Sequence, residues 1–297
     1  MEDKGQKIEN GLWRISFDMR SGRISVARHG NAVPSVANAL IGLSYANPGG
    51  SKLAAVFAGG TVTSTSKPLE DVHGKGTQYG FTSAGRPDGL ELTYLVNLYD
   101  DRPFLLLRLE ITNSNRSDIC LHDINLLQAE AALGGSINFA GGGPLSFFKV
   151  GWHAWVYSGL RRGSERDVSS LPIMRPFVSK MLYNPALPIG RGRGEFWGEG
   201  WGLLTDQRSA ILAGFASTAD QFGVLHVNCR SGACELTLMA QADGVLLEPG
   251  ERFKSEWGYL QAIDMPCTDP AADYVQAVAR QMKARVPAVP PPAQWTH

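Results

Sequence analysis

The sequence contains few of the residues that bind metal ions or carry redox chemistry. Its 297 residues include only four cysteines and six histidines. The histidines stand alone, without an H-E-x-x-H motif or a Cys/His cluster, and the cysteines lack zinc or redox spacing. No G-x-S-x-G segment offers a nucleophilic serine. We therefore predict no metal ion, no cofactor and no catalytic residue in this chain.

The cysteines leave one alternative open. Cys229 and Cys234 are five positions apart and could face each other across a hairpin turn. This spacing fits a disulfide as well as two free thiols. We favour free thiols, as expected of a protein from a reducing compartment.

The chain also lacks a net charge and a long apolar run. Its 28 basic and 28 acidic residues balance, which argues against nucleic acid or an anionic membrane as a partner. No uncharged apolar run approaches the roughly 18 residues that suggest a membrane span. The N-terminal stretch MEDKGQKIENGLWRIS has no apolar signal-peptide core. We expect a cytoplasmic protein with neutral partners.

What the sequence does contain is a series of short strand patterns with a period of two. The stretches 12–17 and 22–26 flank a turn at Asp18–Ser21, and the strand pair within 91–113 flanks Asp100–Pro103, where Asp and Pro favour a turn. Alternation around Leu107–Ile111 predicts one buried and one solvated face. Further strands are predicted at 119–127, 145–150, 210–216, 223–228, 234–240 and 253–263. Such a series, without intervening helices, predicts an all-β fold, a large antiparallel β-sandwich.

A single helix and a proline-rich stretch follow the strands. Thr268 and Asp269 offer an N-cap and Pro270 suits the first helical position. An apolar stripe with helical spacing then runs along Tyr274, Val275, Val278 and Met282. Val286-Pro287 ends the predicted helix, and PAVPPPAQWTH reads as an extended linker. This ending suggests a chain that stops before a further domain.

Two aromatic-rich stretches are the candidate binding sites. GWHAWVYSG places Trp152, His153, Trp155 and Tyr157 between two glycines. As a regular strand it would put its two tryptophans on opposite faces, whereas in an irregular loop both rings could turn the same way. Aromatic rings suit the apolar faces of sugars, although a role in the core is the alternative.

The second stretch, GEFWGEGWG, places Glu195, Trp197, Glu199 and Trp201 at equal parity. In a regular strand all four would share one face, and the two carboxylates would lie roughly 13 Å apart. Glycoside hydrolysis needs carboxyl groups about 5–9.5 Å apart. We therefore expect a tryptophan-rich turn that packs and lines a cleft, not a catalytic pair.

The order of these features resembles the N-terminal β-supersandwich of glycoside hydrolase family 36, the melibiase-type α-galactosidases. The resemblance rests on the Tyr99–Pro103 turn with the following LRLEITNSN, on GWHAWVYSG, on GLLTDQRSAILAGFASTADQFG and on LLEPGERFKSEWGYLQ. It implies a supersandwich over residues 1–265, a linker helix over 266–286, and a linker over 287–297 that leads to an absent (β/α)8 barrel.

The resemblance also implies a function. In that family two aspartates of the barrel perform a retaining hydrolysis, so this chain alone is predicted to be inactive. A sandwich tryptophan reaches the sugar, which assigns carbohydrate contact to Trp152 and Trp155, while His153-Ala154 departs from the family's polar Gln-Ser. The implied partners are an α-galactoside-like carbohydrate and the barrel of the same protein. A homo-oligomer is a further partner that the sequence leaves open.

Two other interpretations remain open at this point. The chain could be a complete carbohydrate-binding β-sandwich, with an exposed aromatic platform. It could instead be a structural sandwich that mediates oligomerisation, with its tryptophans buried. Solvent exposure of Trp152 and Trp155 separates these two.

Overall fold

The computed structural model describes residues 5–31, 33, 35–139, 141–151, 157–168, 190, 192–230 and 234–285. Twenty strands run through this part of the chain. In chain order they are β1 Gly5–Glu9, β2 Trp13–Asp18, β3 Arg23–Arg28, β4 Val36–Ala46, β5 Lys52–Val56, β6 Thr61–Asp71, β7 Gly74–Ala84, β8 Leu90–Tyr99, β9 Phe104–Asn113, β10 Ile119–Ala129, β11 Ser136–Ile137, β12 Ser146–Lys149, β13 Gly159–Arg162, β14 Glu195–Glu199, β15 Trp201–Thr205, β16 Ser209–Phe215, β17 Phe222–Asn228, β18 Glu235–Leu247, β19 Arg252–Lys254 and β20 Gly258–Asp264. One α-helix, α1 Ala272–Gln281, follows within the described residues.

The strands form two antiparallel sheets of ten strands each. Sheet A has the order β1-β2-β3-β4-β10-β18-β17-β14, with β5 and β11 also pairing with β4. Sheet B has the order β13-β12-β15-β16-β20-β9-β8-β7-β6, with β19 also pairing with β9. The predicted all-β antiparallel sandwich with a C-terminal helix is therefore confirmed.

The main core lies between the two sheets. It is built from the inward side chains of both, including Phe17, Phe81 and Leu126, all of them fully buried. The Tyr94 hydroxyl of sheet B donates to the Leu126 carbonyl of sheet A at 3.0 Å. Burial raises the pKa of Tyr94 well above its usual range, so this bond remains a neutral hydrogen bond across the sandwich.

Helix α1 covers part of the outer face of sheet B and creates a second apolar cluster there. Tyr274 and Ala277 of the helix pack among the outward side chains of β9, β16 and β20. Helix α1 begins at Ala272, later than Pro270, and the Asp269 carboxylate accepts the N–H of Ala271 at 3.1 Å. The helix ends at Gln281, earlier than the predicted end at Val286-Pro287.

The predicted solvated face of β9 is wrong. Its outward residues Phe104 and Leu106 are buried in the outer cluster. Further along the strand, the Arg108 guanidinium lies 4.1 Å from the centre of the Trp257 ring, and the buried Glu110 pairs with Arg252. The alternation therefore marks a strand that is covered on both faces.

The predicted hairpins are confirmed, with β2–β3 and β8–β9 flanking the expected turns. The single strand predicted at 253–263 is instead divided into β19 and β20. Between the two strands, Ser255 keeps the chain hydrogen-bonded to β9. Its N–H donates to the Leu109 carbonyl at 2.9 Å, and its Oγ accepts the Leu109 N–H at 3.0 Å.

Candidate functional site

The stretch GWHAWVYSG connects β12 to β13 at the end of sheet B. The two strands pair with each other, Lys149 opposite Gly159. The Gly151 N–H donates to Ser158 Oγ at 2.9 Å, which closes the base of the connection. Trp152, His153 and Trp155, the principal predicted sugar contacts, lie outside the described residues.

Tyr157 is the described member of that aromatic set. Its ring is half-buried, and its hydroxyl donates to the Leu160 carbonyl at 3.1 Å. The Arg161 guanidinium lies 5.4 Å from the centre of the ring. Tyr157 therefore packs against its own hairpin.

The stretch GEFWGEGWG does not form one continuous strand. Glu195, Trp197 and Glu199 belong to β14 at the edge of sheet A, whereas Trp201 begins β15 in the interior of sheet B. Gly200 between them has φ +74°, a left-handed conformation that glycine adopts without strain. The prediction that all four side chains would share one face of a regular strand is therefore wrong, because the chain passes from sheet A to sheet B at Gly200.

Glu195 and Trp197 form a polar cluster on β14 and β17. Glu195 Oε2 lies 2.8 Å from an Arg230 guanidinium nitrogen, and Glu195 Oε1 lies 3.4 Å from His226 Nε2. The His226 ring stacks on Trp197, with centroids 4.4 Å apart and planes inclined by 27°. Glu195 is thus engaged in an ion pair at one end of a regular strand, while Glu199 occupies the other end.

Glu199 and Trp201 meet in an open cavity of about 370 Å³ between helix α1 and the end of sheet B. This volume lies within the range of small-ligand pockets. Glu199 is buried, with 5% of its surface exposed. The lining is mostly apolar, with a few polar groups, and consists of Val150, Gly151, Glu199, Gly200, Trp201, Phe215, Ser217, Thr218, Tyr274, Val275, Val278 and Met282.

Aromatic packing fixes the floor of the cavity. The Trp201 ring lies 5.6 Å from Phe148 and 5.3 Å from Tyr274, between ring centres. The Tyr274 hydroxyl donates to the Phe215 carbonyl at 2.8 Å, and burial raises the pKa of Tyr274 well above its usual range. The helix is thereby held against β16 and contributes a neutral aromatic wall.

The apolar stripe predicted on the helix is the other wall. Tyr274, Val275, Val278 and Met282 all line the cavity, and Val275 and Met282 remain 58% and 46% exposed. The helical spacing correctly identified the stripe, but nothing in the pattern indicated that it would face an open cavity. Phe215 and Ser217 were also missed, since only the folded chain brings them to the helix.

One buried charge pair lies beneath the base of the site and was not predicted. Lys149 Nζ lies 2.6 Å from Asp167 Oδ1, and it also donates to the Val168 carbonyl at 3.2 Å. Asp167 Oδ2 accepts the N–H of Trp197 at 3.1 Å. The pair therefore joins β12, next to GWHAWVYSG, to β14, which carries Trp197 and Glu199.

No group of three or more His, Cys, Asp or Glu side chains among the described residues is placed to hold a metal ion. No helix in the same part of the chain combines the length and apolar character needed to cross a lipid bilayer.

The fold of the chain is similar to that of one class of solved structures. The chain has the fold of the N-terminal domain of glycoside hydrolase family 36 α-galactosidases, as the resemblance implied. No protein-family model matches the sequence, and no curated protein matches it. The likeness is therefore one of structure.

Three solved structures illustrate it. The galactosidase domain of the α-galactosidase–sucrose kinase AgaSK has a TM-score of 0.58 at 10% identity, covering 88% of this chain and 41% of that one. The α-galactosidase from Lactobacillus brevis has a TM-score of 0.54 at 10% identity, covering 88% and 39%. The α-N-acetylgalactosaminidase NagBb from Bifidobacterium bifidum has a TM-score of 0.52 at 12% identity, covering 93% and 39%. The chain thus spans about two fifths of the length of each match.

Proposed function

We propose that the chain is the non-catalytic N-terminal domain of an α-galactosidase-like glycoside hydrolase. The carrying observation is that the fold likeness covers 88% of this chain but only 41% of the matched chain. On this proposal residues 1–265 are the sandwich, 266–286 the linker helix and 287–297 the link to a (β/α)8 barrel. The barrel would supply the two carboxyl groups of a retaining hydrolysis.

The proposed role of the domain is to form one wall of the sugar pocket. Trp152, Trp155, His153 and Tyr157 would contribute the wall at the end of sheet B. The aromatic cavity that begins at Gly151 supports this role, since apolar faces with a few polar groups are typical of small-ligand sites. The proposed partners are an α-galactoside-like carbohydrate, the barrel and further copies of the protein, in a reducing compartment such as the cytoplasm.

A hydrolysis assay tests the division of labour. The purified chain should release no aryl leaving group from an aryl α-galactoside, while a protein extended through the following coding sequence should do so. Turnover by the chain alone would contradict the proposal, as would an extension that encodes no barrel.

A self-contained carbohydrate-binding module is the second candidate, because the cavity combines an aromatic ring, Trp201, with a carboxylate, Glu199, of this chain. Titration with galactose and melibiose, followed by tryptophan fluorescence, separates the two. Saturable binding that is lost in Trp152→Ala, Trp155→Ala or Trp201→Ala supports the module. No change in fluorescence up to tens of millimolar sugar supports the first proposal, in which the domain forms one wall of a pocket and binds sugar only together with the barrel. Trp257→Phe is the matched control, since Trp257 lies under Arg108 and does not line the cavity.

A further inference from the structure

Two of the four cysteines lie opposite each other at the end of neighbouring strands. Strands β17 and β18 pair with Asn228 opposite Glu235. The same antiparallel register, continued by one residue on each strand, sets Cys229 opposite Cys234. The short segment 230–233 joins them, so they terminate one hairpin.

The backbone bonds of the two cysteines show which kind of cross-strand pair they form. The Cys229 N–H donates outward to the Gly194 carbonyl at 2.7 Å, and the Cys234 carbonyl accepts the Ile137 N–H at 2.7 Å. Because these backbone groups point toward Gly194 and Ile137, the two cysteines form no backbone hydrogen bonds with each other. The pair therefore occupies a non-hydrogen-bonded position, where the Cβ atoms of facing residues come closest, toward about 4.5 Å.

That separation is close to the distance at which a disulfide forms. Bonded cysteines have Cβ atoms roughly 3.5–4.5 Å apart. Both residues are buried, with 6% and 5% of their surfaces exposed. Both are free thiols in this structure.

We propose that Cys229 and Cys234 are an oxidation site, at which a low-molecular-weight disulfide converts the two thiols into a cross-strand disulfide that joins β17 to β18. The reaction proceeds by two exchanges. The thiolate of one cysteine attacks the oxidant, forming a mixed disulfide and releasing one thiol. The second cysteine then attacks the protein sulfur of that mixed disulfide and releases the other thiol. Two protein thiols are oxidised and one external disulfide is reduced to two thiols.

The neighbours of the pair give the modification a structural consequence. Cys229 bonds to Gly194, directly before β14, and Arg230 pairs with Glu195 at the start of that strand. A disulfide at this point would lock the end of the hairpin to which β14 is attached. The neighbouring thiol of Cys229, followed by burial, raises the pKa of Cys234. Oxidation should therefore be slow at neutral pH and accelerate as the pH rises.

The other two cysteines provide internal controls. Cys120 lies within β10, where its register partners are Ala46 and Leu246. Cys267 is exposed and lies just before helix α1. Neither has a cysteine opposite it among the described residues, so each can form only mixed or intermolecular disulfides.

Peptide mapping gives a direct test. The folded chain is incubated with glutathione disulfide, and in parallel with the smaller oxidant diamide, then alkylated and digested with trypsin. Trypsin cleaves after Arg230, between the two cysteines, so peptides 209–230 and 231–252 stay together only if the disulfide has formed. In a Cys120→Ser/Cys267→Ser background, we expect the linked peptide to replace both free peptides and the free thiols to fall from two to none.

The single variants complete the test. Cys229→Ser and Cys234→Ser should each accumulate a glutathione adduct on the remaining thiol, because the second exchange has no attacking group. Oxidation should also raise the thermal midpoint of the Cys120→Ser/Cys267→Ser protein, whereas it should not raise that of either single variant. If both peptides stay unlinked with both oxidants in the folded protein, or link only after denaturation, the proposal is wrong.

Discussion

Lys149 Nζ and Asp167 Oδ1 lie 2.6 Å apart, in side chains that are only 5% and 2% exposed. Lys149 belongs to sheet B, and the Asp167 carboxylate also accepts a backbone N–H from Trp197 in sheet A. A single ion pair therefore connects the two strands that flank the candidate site.

Lys149→Met should destabilise the protein by about 3–5 kcal/mol, because it leaves the Asp167 carboxylate buried without its counter-charge. Urea denaturation measures the change. Lys75→Met is the matched control: Lys75 and Glu70 lie 3.9 Å apart but are both 74% exposed, so its effect should stay within about 0.5 kcal/mol. Equal effects of the two substitutions would contradict the structural importance of the buried pair.

The stability of the fold should fall in mild acid because of His73. This side chain is 1% exposed, and its Nε2 lies 3.1 Å from Gln281 Oε1 of helix α1. Burial lowers the pKa of His73 below its ordinary 6.5. Below that pH the unfolded chain binds a proton that the folded chain does not. The free energy of unfolding therefore decreases as the pH falls, by at most about 1.4 kcal/mol per pH unit.

Denaturation midpoints between pH 7.5 and 5.5 would reveal this dependence. His73→Gln should flatten the profile, since it removes the titrating group. His29→Gln, at an exposed position, should leave the profile as in the parent protein. A profile that is equally steep without His73 would assign the acid sensitivity to other groups.

Gly200→Ala should cost about 1–2 kcal/mol through backbone strain alone. Gly200 has φ +74°, and a Cβ at this position would meet no atom within 4 Å. The cost therefore comes from the left-handed conformation, which Asn tolerates better than Ala. Gly200→Asn should consequently be the milder substitution in chemical denaturation. At Gly202 a Cβ would lie 2.5 Å from a Phe147 ring carbon, so there Asn should be at least as damaging as Ala.

Trp201→Ala should destabilise the protein by about 2–3 kcal/mol. This is less than the usual cost of removing a fully buried aromatic side chain, because Trp201 is only half-buried. The substitution removes the ring contacts with Phe148 and Tyr274 that hold helix α1. Amide hydrogen exchange along residues 272–281 should accelerate. Trp201→Phe should retain most of the protection, and unchanged exchange in Trp201→Ala would show that the helix is held without this ring.

Local patterns were sufficient to predict the architecture. The hairpins around Asp18–Ser21 and Asp100–Pro103 depend on alternation and turn chemistry within some twenty residues, and both are present. The order of the strands within each sheet could not be predicted, because strands such as β4, β10 and β18 are neighbours in the sheet but lie far apart along the chain. The Thr- and Ser-rich strand β6 was also missed, since its exposed side chains give no apolar alternation.

The candidate site was predicted less completely. Glu199, Trp201 and the helix stripe were identified separately, yet their meeting in one cavity depends on four distant segments of the chain. The prediction of one shared face for Glu195 to Trp201 was wrong because Gly200 adopts a left-handed conformation and redirects the chain. A pattern with a period of two cannot reveal such a change of direction. The predicted contacts at Trp152, His153 and Trp155 stay predictions.

Strand β6 also bears on how the protein avoids unwanted self-association. This strand of eleven residues ends sheet B, is exposed along most of its length and, among the described residues, pairs with β7 alone. A free edge of that length is a template on which strands of other molecules can add. Lys67 and Pro68 lie near its middle. An added strand would bury an ammonium group and face a residue without an N–H, so the same edge that completes the sheet resists growth into fibrils.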